Sequence, residues 1–340
     1  MLQSGLVLDA PLAAADSTPP EEGYLWAIVL AGGDGHRLAP LIRQIYGDDR
    51  PKQYAALIGS RSLLHQTLDR IGVLVPRQRT VVVTMASHAR YLDTELASFP
   101  DVHVLAQPAD RGTVAAVLLA ALWIRSIDHR ARVVVFPADH FILDEAAFMR
   151  HVGDVADYVE RAPRWLVLLG ARPAAPDADY GWIEPGERIG HLAGGAIHRV
   201  LRFRETPVPD LAHALFANGS LWNTFVFAST AAGLIDAVRL CCPWVYDPLV
   251  DRRATLQRAY LQARAADFSR AVLQSPALSL AVSEVPDVAW RHLGSPEQVA
   301  DVLRSLGTAR RLGGVDAVLS GSPPSSTEDR RHANHHPTPG

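Results

Sequence analysis

The 340-residue chain has only two cysteines, and they are neighbours, Cys241 and Cys242. Adjacent cysteines rarely close an unstrained disulfide, and no cysteine spacing of a metal site is present. A disulfide-stapled fold and a zinc ribbon are therefore excluded, and a reducing, cytoplasmic setting is expected. Long apolar runs are also missing. The most apolar stretch, TVAAVLLAALWI (113–124), is too short to cross a bilayer and reads as a buried helix. The N-terminus has no basic region followed by a long apolar core, so no signal peptide is expected. Neither charge is in large excess: 33 basic residues face 36 acidic ones, a net charge of -3. That balance points away from nucleic acid or a membrane surface as a general partner.

A chain that is 48% hydrophobic and 20% charged can bury a sizeable core. LWAIVL (25–30), TVVVT (80–84), VVVFP (133–137) and WLVLLG (165–170) are short, β-rich and apolar on both faces, as strands of a covered parallel sheet are. Leu63, Leu64, Leu68 and Ile71 mark a helix face between the first two, and 113–125 and 145–160 read as further helices. Strand alternating with helix predicts an α/β fold with a doubly wound, mostly parallel sheet. GGAIHRVLRFRETP and SLWNTFVFAST read as later strands, and 229–312 as mostly helical, interrupted by a strand-like LSLAVSEV (278–285). Residues 1–23 read as a flexible lead-in, 24–312 as one domain, and 313–340 as a disordered tail with little to bury.

LAGGDGHRLAPL (30–41) follows the first strand, at the edge where a doubly wound sheet places its ligands. Glycines let backbone N–H groups approach an anion closely, and Arg37 adds a fixed cation. Two familiar phosphate loops do not fit. A dinucleotide fingerprint would need a glycine where Leu38 stands, and no Lys-Ser/Thr pair follows, as a P-loop would require. RPKQYAAL (50–57) then supplies Lys52, and the glycine loop, Arg37 and Lys52 together could neutralise a triphosphate.

Those two segments resemble the signature of sugar-1-phosphate nucleotidylyltransferases, and the P-K-Q form is similar to mannose-1-phosphate guanylyltransferases. AQPADRGTVAAVLLAA (106–121), VVVFPADHFI (133–142), DYGWIEPG (179–186), FRETP (203–207) and SLWNTFVF (220–227) extend the resemblance in order, with a weaker echo in VAWRHLGSPEQV (288–299). The resemblance implies a Rossmann-like nucleotide-diphospho-sugar transferase fold. It implies in-line attack of a sugar-1-phosphate oxygen on the α-phosphorus of a nucleoside triphosphate, with GTP and mannose 1-phosphate as the best specific pair. Such chemistry needs positioning and charge neutralisation more than a protein nucleophile.

The implied catalytic residues are Arg37, Lys52 and Asp139. The nucleotide set is Leu30, Ala31, Gly32, Gly33 and Gly35, with Gln107, Gly112 and Thr113 at the base and Arg111 toward phosphate. The sugar set is Gly181, Glu184, Arg204, Glu205 and Asn223. Asp139, just past VVVFP, is the implied ligand of Mg²⁺, with His292 as a second position and Mn²⁺ as an alternative ion. Trp182 and Trp222 read as packing. A homodimer stays open.

Three positions depart from the family pattern. Thr206 replaces a lysine that would meet the sugar phosphate, and strand alternation suggests that Arg204 reaches into the vacated place. Phe225 replaces a glycine near the sugar pocket. His292 stands where a second metal carboxylate is expected, and imidazole suits Mn²⁺ better than Mg²⁺. The three departures keep a second reading open, a regulatory paralogue that binds nucleotide sugars without turnover.

Overall fold

The computed structural model describes residues 23–307, so the expected tail and all of the expected lead-in except Gly23 lie outside the described residues. Among the described residues there are eleven strands: β1 (Leu25–Leu30), β2 (Thr80–Met85), β3 (His103–Gln107), β4 (Arg132–Pro137), β5 (His140–Phe141), β6 (Leu166–Ala171), β7 (Trp182–Leu192), β8 (Gly195–Arg204), β9 (Leu221–Thr230), β10 (Leu280–Glu284) and β11 (Arg291–His292). Nine form one sheet in the order β3-β2-β1-β4-β9-β6-β10-β8-β7, and β5 pairs with β11 in a separate ribbon. The half β3-β2-β1-β4 is parallel, β9 runs antiparallel between β4 and β6, and β6 and β10 are parallel again. This is the α/β doubly wound architecture that the alternation of strands and helices predicts.

Alternation along each central strand feeds two cores. Ala27, Val29, Val82 and Val134 face the helices Leu63–Ile71 and Glu145–Arg161. Trp26, Ile28, Val83 and Val135 face the helices Gly112–Ile127 and Ala231–Cys241. Each fully buried valine or isoleucine contributes on the order of 1.5–3 kcal/mol. The apolar run 113–124 forms one continuous buried helix, as its composition requires.

Two features were not legible. The strand-like segment at 278–285 forms β10, and its insertion between β6 and β8 in the main sheet ties the mostly helical C-terminal part into the domain. The β5–β11 ribbon pairs His140 directly with His292. A third small core of Leu38, Ile42, Leu57, Leu293 and Val299 packs the helix after the glycine loop against the C-terminal helix Pro296–Ser305. That packing carries His292 to the cleft.

Candidate active site

The strands β1 and β4 end together, and their C-terminal loops open into a cleft of about 430 Å³. At the β1 end, the Ala31 N–H donates to the Val83 carbonyl, which fixes where the glycine loop begins. Gln53, only 3% exposed, donates through Nε2 to the Ala31 and Gly33 carbonyls at 2.7 and 2.9 Å. The glutamine of P-K-Q is thus the clamp that shapes the loop. Gly35 has φ 67°, and a Cβ there would come within 2.9 Å of Lys52 Cγ. The loop and the lysine therefore fit together only with glycine at position 35.

Asp139 sits two residues past the end of β4. Its Oδ2 lies 2.6 Å from Lys52 Nζ and 3.4 Å from His292 Nε2, and Oδ1 lies 3.9 Å from His140 Nε2. Burial pushes the Asp139 carboxyl up. The Lys52 ammonium, the His292 hydrogen bond and the two imidazoles outweigh that effect and hold it well below the usual carboxylate range. Burial pushes the His140 imidazole down to about 3, so it is neutral near pH 7. Its Nδ1 accepts from the Trp290 indole N–H at 3.3 Å, which leaves Nε2 as the protonated nitrogen facing Asp139. Behind it, Arg70 is 3% exposed and donates to the His140 carbonyl at 3.4 Å. Lys52 is the only lysine in the chain, and the remaining 32 of the 33 basic residues are arginines. It is also the one lysine or arginine in the cleft wall among the described residues.

Among the described residues, no group of three or more His, Cys, Asp and Glu is disposed to hold a metal. Asp139 and His292 offer one carboxylate and one imidazole on the same side of the cleft. Asp139 Oδ2 is paired with Lys52, so Asp139 and His292 could hold a divalent cation only together with substrate phosphate and water, and the imidazole suits manganese better than magnesium.

Gln107, Gly112 and Thr113 form part of the cleft wall. Gly181, Glu205, Asn223 and Phe225 line it as well. The Asn223 N–H donates to the Gly181 carbonyl at 2.7 Å, and its Oδ1 accepts from the Phe225 N–H at 3.0 Å. Glu205 Oε2 is buried without a partner and would lie 2.5 Å from a Cβ at Gly181. Phe225 has φ 57°, at a bulge between β6 and β9, a conformation that costs an aromatic residue about 1 kcal/mol or more. Its ring packs on Phe227 and Phe268, which offsets that strain. Trp182 is fully buried and Trp222 stacks on Tyr180 with centroids 4.3 Å apart, so both are packing residues.

Of the sequence-derived set, Leu30, Ala31, Gly32, Gly33, Lys52, Gln107, Gly112, Thr113, Asp139, Gly181, Glu205, Asn223 and His292 line the cleft. Five do not line it. Arg37 pairs with Asp179 at 3.0 Å at the exposed rim. Gly35 lies behind Lys52. Arg111 donates to the Tyr260 carbonyl at 2.6 Å and to the Asp110 carbonyl at 3.0 Å, so its guanidinium holds local backbone. Glu184 lies along β7, opposite Arg202. Arg204 ends β8 opposite Trp182, and the cation that meets Thr206 is Arg270, whose Nη2 donates to Thr206 Oγ1 at 2.7 Å. Thr206 has φ 43°, so the chain turns sharply there and strand alternation no longer governs which residues share a face.

Glu205 gives a clear pH dependence. Burial, reinforced by Asp267, pushes its carboxyl up to about 7 against Arg270 and Ser269. The native state therefore keeps a proton that the unfolded chain releases between about pH 4.5 and 7, so this contribution falls as pH rises through that window. Glu205→Gln is expected to melt close to the wild type at pH 5 and above it at pH 8, by thermal denaturation at both values. An equal gap at the two pH values would show that Glu205 is ionised throughout.

A family model described as nucleotidyl transferase matches residues 26–305. The xanthan biosynthesis protein XanB of Xanthomonas campestris pv. campestris (strain B100) is 33% identical over 295 residues, covering 81% of this chain and 58% of XanB. Mannose-1-phosphate guanylyltransferase of Escherichia coli (strain K12) is 28% identical over 289 residues, covering 81% of this chain and 59% of that protein. The chain thus spans less than two thirds of the length of these relatives. Among solved structures, a Thermus thermophilus protein described as a mannose-1-phosphate geranyltransferase superposes with a TM-score of 0.68 at 28% identity, covering 79% of this chain and 76% of that one. Among the described residues, no helix is long and apolar enough to cross a membrane.

Proposed function

The chain belongs to the nucleotidyl transferase family, and from that premise we propose that it joins a sugar 1-phosphate to a nucleoside triphosphate, with GTP and mannose 1-phosphate as the pair. The observation that carries this reading is the Lys52–Asp139 pair. It lines one cleft together with Gly32 and Gly33 of the glycine loop, the Gln107 amide, and the Glu205 carboxyl, whose Oε2 has no partner. A phosphate oxygen of the sugar phosphate forms a bond to the α-phosphorus, the bond from that phosphorus to the bridging oxygen breaks, and pyrophosphate leaves with the electron pair.

The residues divide the work by position. Lys52 neutralises phosphate charge, which needs a cation already aimed at the reacting centre. Backbone N–H groups of the glycine loop hold the triphosphate. Glu205 and Asn223 accept from sugar hydroxyls and fix the attacking phosphate. A divalent cation, when bound by Asp139 and His292, would supply further charge neutralisation at the α-phosphate.

Arg270 does not line the cleft, but it donates to Thr206, next to the lining residue Glu205, and is the cation we propose for the sugar phosphate. Arg270→Ala is expected to raise KM for the sugar phosphate about tenfold, the worth of one charge-assisted contact, with GTP affinity unchanged. Steady-state kinetics with each substrate varied in turn check this, and an unchanged sugar-phosphate KM would remove Arg270 from the site.

The reaction is tested by pyrophosphate release with the five common nucleoside triphosphates, a panel of hexose 1-phosphates, and Mg²⁺ or Mn²⁺. Release that requires both GTP and mannose 1-phosphate is the expected result. Release with a different pair corrects the substrates. Nucleotide binding without release from any pair would instead establish the regulatory reading, which His292 and the strained Phe225 favour.

A further inference from the structure

Three side chains, Gln107, Tyr260 and Met85, meet at the cleft wall. Gln107 ends β3 and is 4% exposed, and Tyr260, on the helix Leu256–Gln262, has no exposed surface. The Tyr260 hydroxyl donates to Gln107 Oε1 at 3.2 Å. Burial pushes its phenol far above the ordinary value, so the group is a permanent O–H donor. On its other side, Gln107 Nε2 meets only Met85 Sδ, a weak acceptor 3.9 Å away. Gly32 approaches the same nitrogen so closely that a Cβ there would lie 3.0 Å from it. Gly32 and Gln107 both line the cleft.

A side-chain amide has two orientations of nearly equal shape, and a ligand reads them as opposites. Here they are not equal in energy. Rotating the Gln107 amide by half a turn would place its NH₂ against the Tyr260 hydroxyl, and the buried phenolic proton would lose its acceptor. A buried donor without an acceptor is strongly disfavoured. The orientation of Gln107 is therefore set from behind, by a residue that touches no ligand.

We propose that Tyr260 is a positioning residue that locks Gln107 with its NH₂ toward the ligand, so that the cleft selects nucleobases that present a ring carbonyl oxygen. Guanine, hypoxanthine and uracil present that oxygen. Adenine and cytosine present an exocyclic amine at the equivalent place and meet a donor with a donor. The inference rests on the nucleotide reading of the cleft and deepens it, because it names the class of base that the cleft accepts.

The test is equilibrium binding by calorimetry, without sugar phosphate, of GTP, ITP, UTP, ATP and CTP to the wild type, Tyr260→Phe and Gln107→Glu. Wild type is expected to favour GTP and ITP over ATP, and UTP over CTP. Tyr260→Phe keeps the ring and loses only the hydroxyl, and each ratio should fall about tenfold, the effect of one hydrogen bond. Gln107→Glu, an acceptor-only side chain, should reverse the preference toward ATP and CTP. A mere packing role for Tyr260 would weaken all nucleotides alike and leave the ratios standing, and that result would overturn the proposal. A wild-type preference for ATP or CTP would also overturn it. If Tyr260→Phe does not fold, reversal in Gln107→Glu supports the proposal and an unchanged preference refutes it. Failure of the wild type to bind any of the five would overturn the nucleotide reading itself, and this inference with it.

Discussion

Lys52→Ala is expected to lower turnover by about 10²- to 10³-fold, the usual loss when one preorganised charge is removed from a phosphoryl-transfer site. It should also lower stability, because Lys52 and Asp139 are only 14% and 18% exposed and their charged atoms are 2.6 Å apart. Removing one partner of such a pair leaves an uncompensated charge at a cost of about 3–5 kcal/mol. Lys52→Ala combined with Asp139→Asn separates the two effects. The double variant should recover most of the melting temperature and none of the turnover, since the buried charge is gone but so is the cation. Turnover within tenfold of wild type in Lys52→Ala would remove the lysine from the reaction.

Lys52→Arg should lose nearly as much activity. The chain uses arginine at 32 of its 33 basic positions and keeps lysine only here. A guanidinium is a broad planar fork, whereas an ammonium is a compact point charge that donates in three directions. Lys52 Nζ reaches both Asp139 and the Leu293 carbonyl, the latter at 3.3 Å, with its stem pressed against Gly35. A larger head group has no room there without displacing the glycine loop.

How far the sequence could be read depended on how local each determinant was. β1, β2, β4 and β6 were legible because a strand buried on both faces must be apolar at every position, which a short window reveals. β10 was legible as a strand but not as a central one, because its place between β6 and β8 depends on partners more than a hundred and more than seventy residues earlier in the chain. Lys52, Asp139 and Glu205 were legible as parts of motifs. Arg270, Tyr260 and Arg70 carry no motif, and only the folded chain brings them to Thr206, Gln107 and His140. Arg204 was assigned by strand alternation, and that rule ends at Thr206, where φ turns positive.

Gly112→Ala is expected to destabilise the fold by about 3 kcal/mol or more and to abolish nucleotide binding, whereas Gly33→Ala should leave the melting temperature nearly unchanged. By sequence the two glycines carry the same meaning, as residues that bring backbone close to a nucleotide. Gly112 has φ 75°, which alone costs alanine about 1–2 kcal/mol. A Cβ there would also run into the Ala266 carbonyl oxygen, which accepts from the Val114 N–H at 3.2 Å, while the Ala266 N–H donates to the Arg111 carbonyl at 3.1 Å. Those two bonds tie the segment before Phe268 to the start of the helix Gly112–Ile127, so the clash falls on backbone that cannot move alone. At Gly33, an added Cβ meets nothing within 4 Å. Any loss of GTP affinity in Gly33→Ala therefore reports on the ligand approaching the loop, and calorimetry beside thermal melts of both variants separates the two roles. Equal destabilisation by the two substitutions would contradict the assignment of Gly33 to the ligand and Gly112 to the fold.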